Sequence, residues 1–405
     1  MVKRPPGDFR RPFRPSILSP ALDFLSAGGL SIIAFVPLLL SGRTDLLLIG
    51  AGAQAWLATT INMPHFMASY RLVYRSREMI LRHKWASIYI PALLFLYVVV
   101  AVYSAQFTPE LVTILVTVSA TYLAWHYTGQ VWGMMASYAF LAGTRFEPTE
   151  RFLIRTSLRI LLAWHVVWFF YTHVRRSEIV RPAYLVVSAG TVVAFVMGAV
   201  GLALFRRRTG SLPPALSLVA WVAIFVWYAV IARDPNAIFW VQIAHAIQYL
   251  VFPIRVEINR TEEQGRGQRG EGRGQGRRQD EGLGERHSAA GVSGRLVFHM
   301  VAYGILLLLV SYLVGEAVPA AAMSVVGDIF GDEPSRVAPV LILMFVNIHH
   351  YFTDGVIWKI SNPEVRRELF AHVPGQRAAI AGKGPSGSGR ADKGDASRSK
   401  RRGGR

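Results

Sequence analysis

The chain contains no cysteine in its 405 residues. Disulfides, thiolate metal ligands and cysteine nucleophiles are excluded. Any bound metal must be held by His with Asp, Glu, Asn or Gln. Charge is scarce as well: 17% of residues are Asp, Glu, Lys or Arg, against roughly a quarter in soluble domains. Acidic residues are the rarer sign, 25 against 44 Lys and Arg. No cleavage-like site follows the first apolar run, so that run reads as a retained helix rather than a signal peptide. No internal repeat is evident, so the inverted-repeat signature of many transporters is missing.

What the chain does have is apolar length. Mean hydropathy is +0.33, and runs of about 18 or more apolar residues recur, the length that spans a bilayer. The reading is an all-α, polytopic transmembrane helical bundle of about ten spans. They are placed at Phe24–Leu40, Asp45–Asn62, Ala86–Ser104, Pro109–Phe140, Phe152–His173, Ala183–Phe205, Pro214–Ala232, Pro235–Val256, Ser293–Val314 and Val337–Lys359. The formal charge of +19 sits mostly in loops and tails. "RLVYRSREMILRHKW", "TRFEPTERFLIR" and "FRRRTG" fall on one side if spans alternate, with "HVRRSEIVRP" as the exception. The positive-inside rule then puts both termini in the cytoplasm.

The domain reading follows. Residues 1–23 form a basic cytoplasmic N-terminus and 24–256 carry spans one to eight. Residues 257–292, containing "TEEQGRGQRGEGRGQGRRQDEGLGER", lack the apolar surface to offset chain entropy and read as a disordered cytoplasmic linker. Residues 293–373 hold the last two spans and a short juxtamembrane segment, and 374–405 a disordered basic tail. The expected partners of the basic tails are anionic lipid headgroups within the membrane. An RNA tether is the weaker reading, and no nucleic-acid partner is expected.

Polar groups inside hydrocarbon need partners, and ionisable ones there are rare and usually functional. They cluster in four spans. The second ends with Asn62 and His65, the fourth carries His126 and Gln130, and the eighth carries His245, Gln248 and Tyr249. The tenth carries His349, His350 and Asp354. Spacings of three and four residues put each set on one helix face. His349 is rotated by about 100° from His350. All four sets fall in the inner half of the bilayer by helical rise, so neighbouring spans could bring them to one point. His65, His126, His245, His349 and His350 are therefore the candidate metal ligands. Asn62, Gln130 and Gln248 would orient the imidazoles. Asp354 would be a ligand or an acceptor for a ligand's second N–H. Tyr249, with Tyr351 beside it, would donate a hydrogen bond or proton. Fe(II) is the first choice of cofactor for a His-rich, thiolate-free set, with Mn(II), Zn(II) or a haem as alternatives. His165 reads as a cross-helix hydrogen-bonder, and His83, His173, His287, His299 and His372 as loop or helix-end residues.

The motifs "MPHF", "WHYTGQ", "HAIQYL" and "NIHHYFTDGVIWK" together resemble those of a group of uncharacterised bacterial multi-pass membrane proteins. In plan the chain also resembles the integral-membrane β-carotene dioxygenases of the bacteriorhodopsin-related-protein type, which are all-helical and bind iron through histidines from several spans. That resemblance implies residence in a bacterial cytoplasmic membrane and a lipophilic substrate such as an isoprenoid or acyl chain; it assigns no residue a role. The chain departs from membrane fatty-acid desaturases, lacking HxxxH followed by repeated HxxHH boxes. The functional expectation is a metal-dependent membrane oxygenase or oxidoreductase, with a proton-coupled transporter and a haem-binding protein as alternatives.

Overall fold

The computed structural model describes residues 16–174, 178–273, 284–358 and 363–373. No strand occurs among them. Nine helices there are long and apolar enough to cross a membrane, and the chain is an all-α polytopic bundle. They are α1 (Pro20–Ser41), α3 (Trp85–Ser104), α4 (Glu110–Leu141), α5 (Pro148–His173), α6 (Val180–Thr209), α7 (Ala215–Arg233), α8 (Pro235–Gly265), α9 (Gly294–Phe330) and α10 (Asp332–Ile357). A more polar helix, α2 (51–73), accounts for the one that remains of the ten expected spans, the second.

Helix α2 is displaced from the expected Asp45–Asn62. Thr44–Leu47 makes a 3-10 turn instead, and the helix starts after Gly50 and runs on to Val73. The consequence is functional: His65 lies within the helix rather than past its end. Pro64 cannot donate to the turn before it, and the residues just ahead, Ala58–Asn62, widen into a π-segment. A matching π-segment in α9, Leu313–Ala317, lies against this one. Thr59 Oγ1 donates to Glu316 Oε1 at 2.7 Å, and Gly315 faces Met63.

The expected boundary at residue 256 is too early. Helix continues to Arg273, and a helix resumes at Gly284. Glu257, Asn259 and Thr261 are buried because each has a partner. Glu257 takes Arg71 Nε at 2.9 Å and lies 3.2 Å from His299 Nε2, joining α2, α8 and α9. The Asn259 amide donates to the Glu368 carbonyl at 2.7 Å. The rest of the expected linker between 274 and 283, the N-terminus through 15 and the tail from 374 lie outside the described residues.

Burial separates centre from rim. About half of the residues in the apolar stretches of α7, α8 and α10 are buried, whereas α3, α6 and α9 bury about a fifth of theirs and turn Leu93, Phe95, Val186, Val192 and Leu309 outward. Apolar outward faces are what a lipid solvent permits and water penalises. Close helix approach in the middle uses small residues. Gly198 admits the Trp221 ring and Gly201 admits Ile154. Gly28 breaks α1 with a φ of +128°, which lets it lie against Ala223 of α7; a Cβ there would sit 2.4 Å from the Ala223 methyl.

Candidate metal centre

Helices α2, α4, α8 and α10 meet in the interior, and four imidazoles converge where they do. Ring centroids lie 4.7 Å apart for His65–His350, 5.0 Å for His126–His350, 4.7 Å for His126–His245 and 5.4 Å for His65–His245. One ring nitrogen from each of His65, His126 and His350 falls within 4.8 Å of the other two. All four side chains are buried. Phe66, Tyr127 and Tyr249 pack around the rings.

Protonation can be read from the partners. The His65 Nδ1 faces the Asn62 carbonyl, which can only accept, so Nδ1 carries the hydrogen. Its Nε2 is then a bare lone pair, buried and without a hydrogen-bond partner. His126 Nε2, both nitrogens of His245 and both of His350 are buried without a hydrogen bond as well. Dry interiors rarely tolerate so many orphaned nitrogens at one place.

Asp354 supplies the carboxylate. Its Oδ2 stands 3.3 Å from His350 Nε2 and 3.7 Å from His126 Nε2. Its Oδ1 accepts from Ser69 Oγ at 2.7 Å and from Tyr249 OH at 3.0 Å. Trp358 Nε1 donates to Tyr249 OH at 2.6 Å, and Ser69 Oγ also touches that hydroxyl. The hub aims one carboxylate oxygen at the histidines by holding the other. Tyr249→Phe strands the Trp358 N–H and removes one donor from Asp354. Its expected cost is about 1–3 kcal/mol of stability, read by thermal melting; an unchanged melt would show the hub to be idle.

Not every expected residue joins. His349 turns away, as its rotation from His350 requires. Its Nε2 donates to the Ala86 carbonyl at 2.9 Å and lies 3.2 Å from Tyr74 OH. That nitrogen is committed, and His349 ties α10 to α3 instead. Burial pushes the Tyr74 phenol above its ordinary value, keeping it a neutral donor to the Ser87 carbonyl at 2.8 Å. Gln130 and Gln248 do not bond the imidazoles. Gln130 Nε2 donates to Gln248 Oε1 at 2.9 Å and to the His245 carbonyl at 3.2 Å, and Gln248 Nε2 donates to the Ala27 carbonyl at 2.9 Å. They pin α4, α8 and the broken turn of α1 together. Asn62 does fix a tautomer, but with its backbone oxygen. Tyr351 packs against His126 at a tilt, the ring centroids 4.7 Å apart.

His165 behaves as a cross-helix residue, with Nδ1 3.3 Å from Tyr228 OH. His299 meets Glu257, His372 meets the Ser16 carbonyl, and His173 meets Thr172. The His287 side chain lies outside the described residues. Ser69 and Trp358 escaped the sequence reading. Both sit one turn from a named residue, Ser69 four after His65 and Trp358 four after Asp354, which is the signal that could have found them.

Beside the centre lies a cavity of about 260 Å³. His126, Asp354 and Tyr249 border it at one end, and Trp125, Trp132, Met134, Phe252 and Trp358 give it an apolar wall.

The chain matches no protein-family model, no curated protein and no solved structure.

Proposed function

We propose that this chain is a metal-dependent oxidoreductase of a bacterial cytoplasmic membrane, an oxygenase in its most specific form, acting on a lipid-soluble substrate. One observation carries the reading. Buried imidazole nitrogens without hydrogen-bond partners, one set from each of three helices, converge on a space bounded by a carboxylate. A donor set of imidazoles with one carboxylate suits Fe(II) above softer metals. When bound, such an ion supplies a Lewis-acidic, redox-capable centre with positions left open for oxygen and substrate.

The protein's own groups then have defined work. His65, His126 and His350 hold the ion, with His245 as the adjoining fourth imidazole. The Asn62 carbonyl keeps the His65 lone pair available. Ser69 and Tyr249 hold Asp354 in place, and Tyr249 also borders the cavity. The aromatic wall keeps water from the reacting atoms, as such chemistry requires. Edge-to-face packing of four imidazoles leaves no slot for a porphyrin between two of them, which favours a single ion over a haem.

Elemental analysis of detergent-purified protein tests this directly. The expected result is about one iron per chain, removed by a chelator and restored on reconstitution. Protein that takes up no divalent metal at any tested concentration overturns the reading.

A further inference from the structure

Glycines in this bundle fall into two kinds. At Gly28, Gly198 and Gly201 an added Cβ would meet a neighbour at 2.4, 2.4 and 2.9 Å, so these glycines serve close packing. At Gly129, Gly133 and Gly355 nothing lies within 4 Å of that position, and all three border the cavity beside the histidines. Gly129 and Gly133 are four apart on α4, the spacing usually associated with helix pairing in membranes. Among the described residues no helix occupies that face. The two glycines instead form the floor of an open groove.

The groove has direction. His126 and Ser137 both border it, and they are separated by about 16 Å of helical rise on α4. At the His126 end are Asp354 and two buried polar atoms without partners, His126 Nε2 and Gln130 Oε1. Toward the other end Arg155 reaches in from α5, its guanidinium 5.9 Å from the Trp132 ring. No carboxylate among the described residues pairs with Arg155. Trp125, half exposed at the groove's edge, faces outward, so an apolar chain can enter from the side.

We propose that the groove binds a long-chain carboxylate, with the carboxylate on Arg155, the chain laid over Gly129 and Gly133, and a carbon further along it beside His126 and Asp354. One guanidinium matches a monoanion, in the two-pronged geometry it prefers. A phosphate monoester would bring close to two charges. The last element rests on the metal reading; the binding of the chain does not.

Quenching of tryptophan fluorescence by a dibrominated long-chain fatty acid tests this on the purified full chain, with the dibrominated alcohol and alkyl phosphate as comparison probes. The acid is expected to quench saturably and more tightly than either. Arg155→Gln should weaken the acid about ten-fold or more, the loss of a charged hydrogen bond, and leave the alcohol unchanged. Gly133→Leu and Gly129→Leu should abolish saturable quenching by acid and alcohol alike. Their melting temperatures and metal contents should match the parent, since each leucine projects into open space. Parent-like acid binding in the leucine variants overturns the proposal, and so does an Arg155→Gln protein that still prefers acid over alcohol. Acid that merely accumulates at a basic surface would survive both leucine substitutions and so also counts against it. Saturable binding by a chain that takes up no metal would sink the metal reading alone.

Discussion

His350→Ala protein purified in detergent is expected to retain less than about a tenth of the parent's metal, since even groups that only orient a ligand cost ten- to a hundred-fold in affinity. His350 is fully buried at the middle of the cluster, facing His65, His126 and Asp354 at once. Alanine removes a donor and leaves Oδ2 of Asp354 without its nearest neighbour. His126→Ala should behave alike. The informative control is the adjacent residue. His349→Ala breaks a bond to the Ala86 carbonyl and should cost about 1 kcal/mol of stability, with metal content intact. His165→Ala, whose ring meets Tyr228, should also keep the metal. Equal metal loss in His349→Ala and His350→Ala would mean that the substitutions act through general unfolding, and the ligand assignment would fail.

Gly28→Val is expected to be the most damaging single substitution away from the histidines. Two costs add. The φ of +128° lies outside the left-handed helical region and costs a β-branched residue about 1–3 kcal/mol, and the new Cβ would overlap the Ala223 methyl, where overpacking costs about 1–3 kcal/mol more. Gly42, in the left-handed helical region, is the milder reference without a packing cost. Its φ is +70°, with nothing within 4 Å of an added Cβ, so Gly42→Val should pay only the backbone cost. Thermal melting of both variants in one detergent gives the difference. If the two melt together, the α1–α7 contact at Gly28 is not the tight one described. Because Gln248 binds the Ala27 carbonyl next door, a displaced α1 should also loosen the glutamine pair that braces α8.

Much of the architecture was legible in the sequence because hydrocarbon imposes a simple rule. Apolar runs of bilayer length must be helices, and nine of the ten expected spans overlap helices of that kind. The second was misplaced because its apolar character is diluted by Thr59, Asn62, His65 and Ser69, residues it carries for the interior. The linker was begun too early for a related reason. Glu257 and Asn259 look solvated in composition, yet they are buried by partners more than a hundred residues distant, which no local window contains.

In the site, helical spacing sufficed to gather His65, His126, His245, His350 and Asp354. Periodicity could say that His349 and His350 point apart but not which of them faces inward, since the helices on both sides of α10 offer polar atoms. Nor could it show that Gln130 and Gln248 bind each other and backbone rather than imidazole. An amide four residues from a histidine shares its face, but an adjacent helix decides its partner.

The two consecutive histidines of α10 also have a mechanical consequence. One imidazole is fastened to a carbonyl of α3, and the other is enclosed by α2, α4 and α8. Grips in directions about 100° apart set the angular phase of α10 about its own axis, as a key with two teeth cannot turn in a lock cut for both. Inserting a single residue just before His349 would advance both teeth by that angle. Rolling α10 back through the same angle would seat both teeth again but turn every residue ahead of the insertion out of its contacts, so α10 has little freedom to roll while the bundle stays assembled.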